Sequence, residues 1–99
     1  MEDYMNKKKI NVKVDEEVGS GIYSNIFLVT HSGAEFIVDF ARLMPGMKDA
    51  KVYSRILMTP QHTKQLVAIL QKNIQNYEDN FGEIKINNKQ DNEIGFKNN

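Results

Sequence analysis

Four side chains carry the most obvious chemistry in this sequence: the histidines His31 and His62, and the carboxylates Glu35 and Asp39, which alternation puts on one face of a predicted strand. Imidazole works near neutral pH as a general base or a metal ligand, and two neighbouring carboxylates can divide acid and base roles. The pattern argues for neither. His31 falls in a turn and His62 at a helix start, on different elements, and there is no cysteine to complete a thiolate site. Asp39 lies within the apolar run Phe36-Ile37-Val38-Asp39-Phe40-Ala41-Arg42. A carboxylate in such surroundings needs a partner, and Arg55 on the next predicted strand is placed to be one. The group therefore reads as a salt-bridged sheet face. No catalytic residue, metal set or cofactor site is expected.

The other chemistry-bearing patterns are poorer. Gly19-Ser20-Gly21 resembles a phosphate loop, but such loops lead into a helix whose amides hold the anion, and here a strand is expected to come next. Lys7-Lys8-Lys9 reads as a short solvated arm. Tyr23 and Phe27 share a strand face and could stack bases, yet the strand that carries them has no Lys or Arg. Tyr23, Phe27 and Val29 are instead expected to form a face for self-association.

Composition narrows the field. The chain has 99 residues, 13 Lys plus Arg against 13 Asp plus Glu, and no cysteine. That length fits one domain, and one of this size buries only about two-thirds of its unfolded surface. A balanced charge argues against nucleic acid as partner. No apolar run is long enough to cross a bilayer, and the N-terminus lacks the apolar segment of a signal peptide. With no cysteine, a reducing cytoplasm is the expected setting.

The elements that must position these residues follow from hydrophobic period. Ile10, Val12 and Val14 alternate with polar residues and predict a first strand. Ile22 to Thr30 predicts a second, apolar on both faces, with Ile22, Ile26 and Leu28 opposed to Tyr23, Phe27 and Val29. His31-Ser32-Gly33 turns the chain into a third strand, Ala34 to Arg42, by a hairpin. Pro45-Gly46 suits the centre of a type II turn, and Ala50 to Met58 predicts a fourth strand. Thr59-Pro60 is a helix start, with a capping side chain followed by a proline where a missing N–H costs nothing. Leu66, Leu70, Ile74, Tyr77 and Phe81 then recur every three or four residues, predicting an amphipathic helix of about twenty residues that Gly82 stops. Glu83-Ile84-Lys85-Ile86 could form a short last strand. Residues 1–9 are expected to be a flexible arm, residues 10–86 a single domain, and residues 87–99 a disordered polar tail.

Three segments together resemble a bacterial domain of unknown function, number 3467 in that series: Gly21-Ile22-Tyr23-Ser24-Asn25 with His31-Ser32; Glu35-Phe36-Ile37-Val38-Asp39-Phe40 leading to Pro45-Gly46; and Ala50 to Ile56 running into Met58-Thr59-Pro60-Gln61-His62. Tyr77-Glu78 and Phe81-Gly82-Glu83-Ile84 look like that family's ending. The resemblance covers roughly residues 10 to 86 and brings no activity with it. It makes His31, Asp39, Arg55 and His62 the polar positions to test first.

The expected fold is α+β: a four-stranded antiparallel sheet followed by one long amphipathic helix, an order of elements that looks like the SecB export chaperone. One helix can shelter one sheet face, so the second face is expected to meet another copy of the chain. A non-enzymatic, homo-oligomeric protein-binding or scaffold module is the leading expectation. A holdase of unfolded chains and an enzyme with an inter-subunit site are the alternatives.

Overall fold

The structure, a computed structural model, describes residues 10–86. The arm expected at 1–9 and the tail expected at 87–99 lie outside the described residues. The fold is α+β, an antiparallel sheet followed by a C-terminal helix. A helical turn, α1 (Glu16–Gly19), precedes strands β1 (Ile26–His31), β2 (Phe36–Arg42) and β3 (Lys51–Met58), and helix α2 (Pro60–Phe81) closes the order. The strands lie side by side in sequence order.

The sheet has three strands, not four. Residues 10–15 carry no regular structure, and Val12 and Val14 are about two-thirds exposed. Alternation makes a strand only where a neighbouring strand can be paired, and the residues just after this segment direct the backbone elsewhere. The carbonyl of Asp15 accepts the N–H groups of both Val18 and Gly19 at 3.0 Å, while Glu16 and Glu17 occupy the first turn, where acidic side chains oppose the positive end of a helix dipole. The expected last strand is also absent: residues 82–86 are irregular, and the Ile84 N–H donates to Glu78 Oε2 at 3.0 Å.

The hairpin of β1 and β2 forms as expected, closed by Ser32 N–H to the Glu35 carbonyl at 3.0 Å. β1 starts four residues later than the run from Ile22 suggests. In place of ladder pairing beyond Asn25, the Asn25 side chain donates Nδ2 to the Leu43 carbonyl and accepts the Leu43 N–H, both at 3.0 Å. The amide side chain mimics the peptide group that a longer strand would have supplied. The Ala41 carbonyl accepts twice, from Asn25 N–H at 3.0 Å and from Ser24 Oγ at 2.8 Å. Between β2 and β3, Met47 N–H bonds the Met44 carbonyl at 3.0 Å and Gly46 has φ +86°. This is the type II geometry that Pro45-Gly46 predicts, with the positive φ where only glycine is unstrained.

The described residues group into two compact units, residues 10–31 with Ile37–Leu57, and Ser32–Phe36 with residues 58–86. The first holds what core there is: Ile26 and Ala41 are the buried hydrophobic residues among those described, and Asp39 is the buried charged one. The second holds α2. Thr59 caps it, its Oγ1 accepting the His62 N–H at 3.1 Å, with Pro60 in the first turn. Gly82 ends it with φ +101°, its N–H bonded to the Glu78 carbonyl at 2.9 Å. None of the 22 residues of α2 is buried. It does not meet the length and apolarity of a membrane-crossing helix, and no other described helix does.

Candidate functional site

The polar pair expected on the sheet is present. Arg55 donates Nε to Asp39 Oδ1 at 2.7 Å and Nη2 to Oδ2 at 2.9 Å, a bidentate fork in which both carboxylate oxygens are engaged. The fork crosses from β3 to β2, and the two side chains differ in exposure, 62% for Arg55 and 11% for Asp39. The hydrogen bonds from Arg55 hold the Asp39 carboxyl below its ordinary value of 3.8, burial opposing them and the guanidinium charge adding to them. Arg55 is correspondingly raised, first by the same hydrogen bonds. A carboxylate so occupied and so acidic is a poor proton carrier at neutral pH; its geometry is that of a strut between two strands.

The same two strands carry a second cationic contact that the sequence did not suggest. The Arg42 guanidinium stacks over the Tyr53 ring at 4.1 Å from its centroid, and Lys51 Nζ lies 5.2 Å from the same centroid. Hydrogen bonding with Arg42 lowers the Tyr53 pKa from 10.0; burial resists this, and the charges of Arg42 and Lys51 reinforce it. Arg42 Nε is itself buried without a hydrogen bond among the described residues. The signal for this stack would have been Arg42 ending one strand where Lys51-Val52-Tyr53 begins the next.

The remaining expected positions lie on separate elements. His31 is the last residue of β1 and is exposed, and His62 lies in the first turn of α2, in the other compact unit, where its backbone, not its ring, takes part in the cap. Glu35 is exposed in the hairpin turn, outside the strand that its alternation predicts. Among the described residues no three of His, Asp or Glu converge closely enough to hold a metal ion.

The three residues expected to form an association face are all exposed. Phe27 and Val29 project from the same side of β1, at 56% and 57% exposure, and Tyr23, which precedes the strand, is at 62%. Phe27 meets Phe40 of β2 edge-on, with centroids 5.9 Å apart and planes at 84°, a favoured arrangement for aromatic pairs. Phe40 also lines an open cleft of about 340 Å³ within the first unit, together with Val18, Ile22 and Ile56. Ser24, Ser54 and Glu17 add its polar groups. Sequence reasoning misses this cleft because it treats Ile22 as a strand residue and does not foresee α1, which brings Val18 to it; Asp15 followed by two glutamates is the available sign of a helix start.

Comparison with known proteins adds one relationship. A family model described as "Protein of unknown function (DUF3467)" matches residues 1–86. No curated protein and no solved structure matches the chain.

Proposed function

The chain belongs to the DUF3467 family of proteins of unknown function, which assigns it no activity, and we propose that it works as a non-enzymatic, homo-oligomeric module for protein binding or scaffolding. One observation carries the reading. Among the described residues only Ile26 and Ala41 are buried hydrophobics, while Phe27, Val29, Leu70, Ile74, Tyr77 and Phe81 are among many large apolar side chains left exposed. Ordering each backbone residue costs about 1–2 kcal/mol of conformational entropy, and the apolar area still in water is burial that the single chain leaves unused. Large apolar side chains left in water in such number suit an association surface. The polar groups support the non-enzymatic part: Asp39 is tied to Arg55 and serves the sheet. A chain without cysteine suits a reducing cytoplasm.

Light scattering on the full chain at micromolar concentration tests this. The expected mass is at least twice 11.4 kDa, and a monomeric mass overturns the proposal. A second reading, a holdase for unfolded chains, is favoured by the open apolar cleft and by the sheet-then-helix order that SecB also has, although this sheet has three strands. Suppression of aggregation of an unrelated unfolding protein at stoichiometric amounts is its expected sign, and no suppression excludes it.

A further inference from the structure

We propose that the Tyr77–Phe81 end of α2 in one copy docks into the Val18–Ile22–Phe40–Ile56 cleft of a second copy, each chain both inserting and receiving about a two-fold axis. The docking rests on the homo-oligomeric reading above and specifies its contact.

The inserted group is a formed aromatic anchor. Tyr77 and Phe81 sit four residues apart on α2 with ring centroids 5.0 Å apart and planes at 41°, and they are 50% and 75% exposed. Leu70 and Ile74 continue the same stripe, 51% and 45% exposed, and no charged residue interrupts the series 70, 74, 77, 81. Aromatic anchors entering a pocket are what dominate interface energetics. The receiving group is concave and apolar, and its aliphatic walls are open: Val18 and Ile22 are each 62% exposed and Ile56 42%.

Three arguments select a second copy as the occupant. The first is economy. Helix-to-helix pairing alone would leave the cleft open, and sheet-to-sheet pairing alone would leave the stripe exposed. Reciprocal insertion covers both with one symmetry operation, in the isologous manner of two-fold dimers. The second is area. Phe and Tyr side chains bury roughly 150–250 Å² each when fully covered, and aliphatic ones less. The exposed parts of the stripe and cleft, counted on both copies, then come to on the order of 1,000 Å², the area that a specific interface has to reach. The third is charge. With 13 basic and 13 acidic residues, two copies meet without accumulating net charge, a condition that promotes association.

The chain has no cysteine, so an introduced pair reports one contact cleanly. Ile22→Cys and Phe81→Cys chains are co-expressed and oxidised, and Ile56→Cys with Tyr77→Cys forms a second pair in case one variant folds poorly. The expected result is a disulfide-linked heterodimer of twice the chain mass that reductant dissolves. A wild-type chain that is oligomeric by light scattering while neither pair cross-links overturns this docking and leaves the broader reading standing. Ile22→Cys chains that cross-link to one another overturn it in favour of a sheet-to-sheet contact. A monomeric wild-type chain overturns both proposals.

Discussion

Asp39 is an acid in an apolar strand that owes its place to Arg55. Two short charge-assisted hydrogen bonds, at 2.7 and 2.9 Å, and a carboxyl whose pKa is lowered from 3.8 by those bonds make the pair a pH-dependent contributor to stability. Because the folded value is the lower one, the contribution is complete above the ordinary carboxylate value of 3.8. It fades as pH falls through the lowered folded value, where the native carboxylate takes up its proton. Asp39→Asn keeps the shape and removes the charge. We expect urea midpoints to show wild type more stable than Asp39→Asn by a constant margin near neutral pH, and that margin to shrink in acid below 3.8. A margin unchanged in acid would show that the ion pair is not its source. Arg42 offers the contrasting case at the same scale: its guanidinium is spent on the Tyr53 ring at 4.1 Å, a cation–π contact of about 0.5–2 kcal/mol depending on desolvation.

At the scale of elements, α2 is held at its start by one side chain. Thr59 accepts the His62 N–H at 3.1 Å, so Thr59→Ala is expected to cost about 1 kcal/mol, read as a lowered urea midpoint with unchanged slope; no loss would mean that the cap is replaced by solvent. Elements fixed by short-range signals were legible in the sequence: this cap, the Pro45-Gly46 turn with Gly46 at φ +86°, the glycine stop at Gly82, and the period of the helical stripe. The Asp39–Arg55 pair was legible too, because a carboxylate in an apolar strand demands a cation and the neighbouring strand offers one. What failed was pairing, which is not local. Ile10, Val12 and Val14 have the alternation of a strand, but alternation says nothing about whether a neighbouring edge comes alongside, and the acid-rich turn at Glu16–Gly19 winds the chain instead. The cleft and the Arg42–Tyr53 stack escaped because each depends on how segments are paired, through positions that, taken singly, carry no signal of a partner as Asp39 does.

At the scale of the whole molecule, the few buried residues turn stability into a question of concentration. Ile26 and Ala41 are the fully buried hydrophobics among the described residues, and the other apolar side chains are half-buried or exposed, so association would add a large share of the apolar burial that opposes chain entropy. Folding and assembly are then one equilibrium, as in obligate homodimers that have no stable folded monomer. For such a two-copy transition the midpoint temperature depends on total protein. Taking about 0.7 kcal/mol of unfolding enthalpy per residue, two copies of the described segment absorb on the order of 100 kcal/mol, so tenfold dilution is expected to lower Tm by ~5 °C. Calorimetry over a hundredfold range of concentration reads this directly. A Tm that holds steady across the range would mean that the single chain is stable with its apolar surface in water, and the exposed faces of β1 and α2 would then need a reason other than self-association. A Tm that falls with dilution in wild type, and lies lower at every concentration in Phe81→Ala, would place the aromatic end of α2 within the interface that folding depends on.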